Sequence, residues 1–517
     1  MRFPTTNVKN KLRSRFRSIG KSQFLISAFG FLLILISIIQ TKRNSEIDGR
    51  LSGEPTYDDI TYFLDGKWRK AEFTESLGQG FSSFVWTPPH APSLSIFSTF
   101  SQLFVGNNSD AIYFMNQILI VAMVYFFSVF IFKSKSQSIL IAGLILCSPI
   151  SPILYFNFRP DIHYALFLGI SYAYILRDNT SQRGRAVPIL TVCLFLIKPT
   201  FVAFTIFNVT CFLTWVWSTT NDRKDLLKKF FQGTVIALLL VSWFLPKGLL
   251  EIYHYVIENT LGGNKELWVS GTIMSNLFSN YGYIATMVTP AFAFFLASIF
   301  LLSLLKLYKI LEFRKLAMFI TFVVIVNSLI AAASRIANPF FYLTAIIPAL
   351  ILILNYLSLI LRNKYFQWRE QVVVLTIVGV LFALIPTIEW SASEIKAAGN
   401  VNQEVARIIQ KENSKAITFM VAGTLNPDTL QWYLDSTRVS QNRFSSFALT
   451  IRDEKSADES LDKALKTNDM IILRNFDRSG FPSDSLQTYL DVKIRSREEN
   501  LWQSVVIGDF RIWVRGK

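Results

Sequence analysis

Two adjacent carboxylates, Asp58 and Asp59, lie in the stretch Tyr57-Asp58-Asp59-Ile60-Thr61-Tyr62, shortly after the first strongly apolar segment of the chain. Paired acids at a membrane surface are costly unless they are solvated, paired or used. Neighbouring carboxylates can split their pKa values, so that one stays ionised as a base while the other positions a ligand or a metal. The competing reading is structural: Thr56 or Asp58 caps a helix and Asp59 is a first-turn acid favoured by the helix dipole. A second group is cationic. Arg159, Lys198, Lys247 and Arg335 stand at the ends of apolar segments, where Arg offers two parallel hydrogen bonds to an anion and Lys a point charge. The alternatives are snorkelling to lipid headgroups for the lysines and a structural pair between Arg159 and Asp161. His90 and His163 are candidates for orienting a ligand, against the commoner role of hydrogen-bonded packing residues. Nothing spaces like a zinc site, and a divalent metal is left open.

These groups need elements to position them, and composition says what kind. Hydrophobic residues make up 51% of the 517 and charged residues only 17%, with a mean hydropathy of +0.36. That balance belongs to an integral membrane protein. The net charge of +16 lies mainly in short loops between apolar segments, so it reports topology rather than nucleic-acid binding. Cys147, Cys193 and Cys211 all fall inside apolar segments and read as packing residues.

Residues 1–22 carry seven cations and no acid, and Phe24 to Ile39 is an unbroken apolar run without a small-residue cleavage site. This predicts an uncleaved first span with a cytoplasmic amino end. Further spans are predicted near 111–132, 137–154, 161–176, 186–198, 200–217, 231–247, 283–305, 316–334, 340–361 and 371–388, each near the roughly 20 residues a crossing needs. Threaded alternately, every loop assigned to the cytoplasm is basic, as the positive-inside rule requires. The expectation is a mainly α, polytopic helical membrane protein of about 11 spans, with its carboxyl terminus outside.

The outer segments carry the ionisable chemistry. In the first outer loop, about 40–110, Leu94, Phe97, Phe100 and Phe104 recur at helical spacing opposite Ser95, Ser98, Ser101 and Gln102. That pattern predicts a helix in the interface plane, introduced by Pro88-Pro89 and Pro92. After Trp390 there are 18 basic and 17 acidic residues and the apolar runs shorten, which predicts a small soluble α/β domain over 390–517. Its expected elements are helices over 394–412 and 427–434, strands at 416–421 and 470–473, and a terminal hairpin turning at Gly508-Asp509.

This order (basic amino end, one span, an outer loop with an acidic pair, a proline-rich element and an interfacial helix) resembles the GT-C membrane glycosyltransferases. Among them it is similar to the protein O-mannosyltransferases and the aminoarabinose transferases of lipid A. The acidic pair matches with Asp in place of the commoner Glu, and Thr87-Pro88-Pro89-His90-Ala91-Pro92 is a looser match to the family's His/Pro element. Asn157-Phe158-Arg159-Pro160-Asp161 and Ser334-Arg335-Ile336-Ala337-Asn338-Pro339 stand where such proteins often place an outer Arg. The resemblance covers about the first 390 residues, so residues 1–389 are expected to form a GT-C-like transmembrane domain.

The resemblance implies an inverting transfer of sugar from a polyprenyl-phosphate donor to a cell-envelope glycan, lipid or protein acceptor outside the membrane. It implies Asp58 or Asp59 as general base, the first acid being favoured, and Arg159, Arg335, Lys198 and Lys247 as holders of the donor phosphate. Tyr57, Tyr62, His90, Asp161 and His163 are expected to contact or orient the acceptor. Related enzymes differ on whether they need a divalent ion. The expected partners are the lipid-linked donor, the acceptor and the bilayer, a bacterial inner membrane suiting the short loops and the absence of disulfides. The rival is a transporter or flippase for a lipid-linked or anionic solute, which would place its ionisable groups near mid-membrane. A polytopic scaffold whose tail binds a partner is a third reading.

Overall fold

The structure, a computed structural model, describes residues 23–43, 58–106, 109–132, 134–155, 157–177, 182–260, 272–334, 338–362, 392–412, 415–419, 427–434, 444–447, 450–477, 482–498 and 501–516. Helix α1 (Gln23–Arg43) is followed by three helices of the first loop, α2 (Asp58–Glu75), α3 (Leu77–Trp86) and α4 (Pro92–Val105). The helical body continues through α5 (Ser109–Ile131), α6 (Lys135–Leu146), α7 (Ser151–Tyr155), α8 (Pro160–Arg177), α9 (Gln182–Ile197) and α10 (Val202–Thr219). It is completed by α11 (Arg223–Val241), α12 (Leu245–Thr260), α13 (Ile273–Met287), α14 (Pro290–Lys309), α15 (Leu311–Ala333), a 3-10 turn (Pro339–Tyr342) and α16 (Leu343–Arg362).

Six described helical stretches are long and apolar enough to cross a membrane: Gln23–Arg43, Ile112–Ile131, Val202–Thr219, Pro290–Lys309, Leu311–Ala333 and Pro339–Leu359. A seventh candidate is the pair α11–α12, bent by 79°. This is fewer than the eleven expected, for separate reasons. The stretch 137–154 is divided between α6 and α7 at a turn over 147–150, and each piece is short. Helix α8 is as long as a span but carries Asp161, His163 and Arg177; almost its whole length is buried in protein, so lipid does not dictate its composition. Helix α9 has 16 residues and opens with Arg183 and Arg185. The segment 371–388 lies outside the described residues. The expected span 283–305 is broken where Thr289, at φ 69, caps α14 and Pro290 occupies its first turn. A residue before proline is pushed out of the helical region, which ends α13 there.

Helix packing follows the small residues. A Cβ on Gly143 of α6 would lie 2.7 Å from the Gly30 carbonyl of α1, so both glycines let the backbones touch. Beside them Cys147 donates its thiol to the Leu33 carbonyl at 3.1 Å, which makes it a packing residue as read. In the first loop, α4 turns its serine face inward: Leu94, Ser95, Ser98, Thr99, Ser101 and Gln102 are buried, whereas Phe104 is 80% exposed. The polar face therefore packs on α2 instead of facing water. Gln102 donates to the Phe63 carbonyl at 2.8 Å, and Gly66 leaves room for the Ser98 hydroxyl.

The C-terminal part holds a five-stranded sheet of order β2-β1-β3-β5-β4. Its elements are α17 (Ala392–Glu412), β1 (Ala416–Thr418), α18 (Pro427–Tyr433), β2 (Phe444–Ser446), α19 (Glu454–Thr467), β3 (Met470–Arg474), α20 (Gln487–Glu498), β4 (Trp502–Ile507) and β5 (Phe510–Arg515). Strand β1 runs parallel to β2 and β3, and the β4–β5 hairpin joins β3 antiparallel. Gly508, at φ 55, makes the expected turn. Side chains alternate along β3: Met470 and Ile472 pack with Val405 and Ile409 of α17, Ile471 and Leu473 with Leu461 of α19 and Ile494 of α20.

Candidate active site

The acidic pair opens α2. Asp58 is its first residue, with a side chain outside the described set, as is the whole of Tyr57. Asp59 is fully buried. Its Oδ2 accepts the Tyr113 hydroxyl of α5 at 2.7 Å and the backbone N–H of Phe158 at 3.0 Å. This carboxylate ties α2 to α5 and to the segment leading into α8. Phe158 is the hub behind it, its ring 5.3 Å from Phe63, 6.3 Å from Tyr62 and 5.9 Å from His163. Tyr62 is thus part of an apolar support, its ring packed and buried.

One residue beyond Phe158, Arg159 lays its guanidinium over Phe340 of the 3-10 turn, 4.8 Å from the ring centroid. Asp161, in the first turn of α8, forms a buried ion pair with Lys198, just past the end of α9. Lys198 also lies over Phe201 at 4.1 Å and Phe341 at 4.8 Å. The pairing that the sequence offered between Asp161 and Arg159 thus has Lys198 in the cation's place. His163 is buried, with Nδ1 2.9 Å from the Arg159 carbonyl and Nε2 2.8 Å from Asn116 Oδ1. Asn116 in turn donates to the Tyr155 carbonyl at 3.2 Å, which fixes its amide orientation.

His90 closes the group from the first loop. Its ring packs on Tyr255 of α12, centroids 4.8 Å apart. His90 is exposed, yet protein atoms crowd around its ring. That enclosure is the largest cause lowering its pKa to about 4; Lys198 lowers it further and Asp161 opposes. His90 is therefore neutral near pH 7.

The structure brings together Asp59, Tyr62, Arg159, Asp161, His163, Lys198 and His90. Lys247 is exposed and stacks over Trp86 at 4.4 Å, with no hydrogen bond, ion pair or ring contact to this group among the described residues. Arg335 lies outside the described residues. Among the described residues, no group of three or more His, Cys, Asp or Glu is placed to hold a metal ion.

Sequence reasoning missed the residues that brace the site. Arg69, 1% exposed, grips Asp65 with two hydrogen bonds at 2.8 and 3.0 Å. It also donates to the Ser83 carbonyl at 2.6 Å and the Thr87 carbonyl at 2.8 Å, which holds the chain entering Pro88-Pro89-His90. The four-residue spacing of Asp65 and Arg69 was the available signal. Tyr113 and Asn116 carried none, being two polar groups in an apolar run.

No protein-family model matches the chain, and no curated protein matches it in sequence. Solved structures similar to it include two of a single other protein. ArnT from Cupriavidus metallidurans in the apo state aligns with a TM-score of 0.54 at 14% identity, covering 96% of this chain and 98% of that one. ArnT from the same organism bound to undecaprenyl phosphate aligns with a TM-score of 0.52 at 14% identity, covering 95% and 97%. The alignment extends past the first 390 residues, so the C-terminal sheet is included in the likeness. This chain has the fold of those two ArnT structures, a mainly helical architecture of the kind that the order of its sequence elements had suggested.

Proposed function

We propose that this protein is a membrane glycosyltransferase that moves a sugar from a polyprenyl-phosphate carrier to an acceptor hydroxyl at the extracytoplasmic face. The observation that carries the reading is the convergence of Asp59, Arg159, Asp161, His163, Lys198 and His90 at helix ends on one side of the bundle. The fold supports it, one similar structure being bound to undecaprenyl phosphate. The cations of residues 1–22 support a cytoplasmic amino terminus, and the reading puts the site on the other side of a bacterial inner membrane. Residues 1–389 would form the transferase domain and 390–517 an extracytoplasmic one.

In this reading a carboxylate takes the acceptor proton as the acceptor oxygen bonds to the anomeric carbon. The bond from that carbon to the phosphate oxygen breaks, its electron pair leaving on the lipid phosphate. Asp58 is assigned as the base, because Asp59 is already engaged by Tyr113 and Phe158. Arg159, stacked on Phe340, supplies the cation for the departing phosphate, with Arg335 as a second. Lys198 is held by Asp161, so a phosphate reaching it shares the lysine with that carboxylate. Neutral His90 is suited to hydrogen-bonding an uncharged hydroxyl of the acceptor.

The test is transfer in proteoliposomes containing a polyprenyl phosphate carrying a radiolabelled sugar. Release of free polyprenyl phosphate with label on a hydroxylated acceptor is the expected result, abolished by Asp58→Asn. Movement of the intact labelled lipid between leaflets without transfer supports the flippase instead. Normal turnover by both Asp58→Asn and Asp59→Asn removes the carboxylates from the mechanism.

A further inference from the structure

The last turn of α18, in the C-terminal part, lands on α2. Trp432 packs against the apolar cluster that backs Asp59, which includes Tyr62, Phe63, Tyr113 and Phe158. Its ring centroid is 6.2 Å from that of Phe63. Lys67 grips the same residue twice: Nζ donates to the Trp432 carbonyl at 2.9 Å and stands 5.2 Å from the centroid of its ring. Phe63 and Lys67 lie four and eight residues beyond Asp59, on the same face of α2.

The contact reaches further through Phe63. Two groups that donate to Asp59 belong to Tyr113 and Phe158, and both of their rings pack on Phe63, at 5.2 and 5.3 Å. Trp432 therefore touches the ring on which the support of the acidic pair is built. A contact that only tethered two parts of a chain could sit anywhere on the first loop. This one bears on α2 at Phe63 and Lys67, one and two turns beyond Asp59, and through the ring of Phe63 on the groups that hold it.

We infer that Trp432 is a positioning residue for sugar transfer: it sets the orientation of the first turns of α2 and with it the acidic pair. The C-terminal sheet and its helices thus take part in the reaction through a contact with α2. This rests on the transferase reading above, but the coupling from Trp432 to α2 can be measured without it. Misplacing a reacting group by about 1 Å can cost up to about a hundredfold in rate.

The full chain carrying Trp432→Ala, Trp432→Phe or Lys67→Met is reconstituted, and two readouts are taken. The first is hydrogen exchange of the amides at 58–66. The second is transfer from the labelled polyprenyl-phosphate donor, resolved into kcat and KM. The expected outcome for Trp432→Ala is exchange about tenfold faster at 58–66 with the bundle helices unchanged. Its kcat should fall about tenfold or more while the donor KM stays within about twofold. Trp432→Phe should recover most of both, and Lys67→Met should fall between. Unchanged exchange at 58–66 overturns the proposal, whether or not the wild type transfers sugar. Faster exchange with normal kcat also overturns it, and so does a loss expressed only in KM. If the wild type transfers no sugar from any donor, the transferase reading fails and the exchange data alone decide the coupling.

Discussion

Phe158 donates its backbone N–H to Asp59 Oδ2 at 3.0 Å, joining residues 99 apart in the chain. A backbone donor cannot be removed by changing a side chain, so the carboxylate is the variable partner. The two acids of the pair are consequently separable by experiment. Asp59→Leu leaves the Phe158 N–H and the Tyr113 hydroxyl without their acceptor, each a buried donor worth about 1–3 kcal/mol when unsatisfied. It should lower unfolding stability in detergent by about 2–5 kcal/mol and reduce transfer as a consequence. Asp58→Asn should do the reverse, because Asn keeps the size of Asp and in the first turn of α2 gives up only its charge, worth about 0.3–1 kcal/mol with the helix dipole. Stability should stay within about 1 kcal/mol of wild type while transfer disappears.

Tyr113→Phe isolates one strand of this tie. Only the hydroxyl is lost, and a hydrogen bond to a charged group contributes about 1.5–3 kcal/mol. Stability should drop by about that amount, with Asp59 still held by Phe158. A loss under about 0.5 kcal/mol in detergent unfolding would show that the phenol does not brace the carboxylate.

The ion pair between Asp161 and Lys198 is buried on both sides, the side chains being 4% and 10% exposed. Removing one partner of such a pair leaves an uncompensated charge, costing about 3–5 kcal/mol. Lys198→Met and Asp161→Leu should each destabilise by that order. The double variant should recover much of the loss, because an apolar pair of similar volume is tolerated. A double-mutant cycle checks this: costs that simply add would mean that the two charges do not depend on each other. The double variant should remain without transfer, having lost a cation beside the site.

His90 gives a pH prediction with a definite sign. Its folded pKa is about 4 against 6.5 for the free side chain, so over that interval the unfolded chain binds the extra proton. Stability should therefore fall as pH drops from 6.5 toward 4, and His90→Gln should flatten that slope. Between pH 6.5 and 8 the wild type and His90→Gln should show parallel activity profiles, since His90 holds no proton charge there. A histidine limb near pH 6.5 that disappears in His90→Gln would contradict the neutral assignment.

The parts of this architecture that were legible in the sequence are those written in local pattern. Hydropathy marked the principal apolar helices, proline marked the start of α4, and the Gly508-Asp509 turn and the strand 470–473 stood out against a polar background. What was illegible depended on distant partners. The serines of α4 looked solvated because nothing local says that α2 will cover them. Helix α8 counted as one more apolar span, although its polar residues are accommodated by burial among other helices. Within the site, the acids and cations were visible as residue types at helix ends. Which cation meets Asp161 was not, because Lys198 arrives from 37 residues away. Asn116 and Tyr113 drew no notice, for their partners lie 47 and 54 residues from them.

The α2–α4 contact yields a last prediction, which tests whether the first loop must be rigid for its acids to work. A Cβ on Gly66 would collide with the Ser98 hydroxyl and stand 2.7 Å from Gln102 Nε2 and 2.8 Å from Ser98 Cβ, too close for any real contact. Ser98 sits on a helix and cannot swing far, so Gly66→Ala must push the two helices apart. Overpacking of this kind costs about 1–3 kcal/mol. The displacement also strains the bond from Gln102 to the Phe63 carbonyl, and Phe63 is the ring on which Tyr113 and Phe158 pack. Gly66→Ala should therefore lower kcat more than the loss of stability alone would, measured where the variant is still fully folded. Adding Ser98→Gly removes the Ser98 contacts and leaves Gln102 Nε2, the end of a flexible side chain, to give way; it should restore most of both, to within about 1 kcal/mol after allowing for glycine's cost in a helix. Recovered stability without recovered kcat would mean that the spacing of these two helices is a packing matter only.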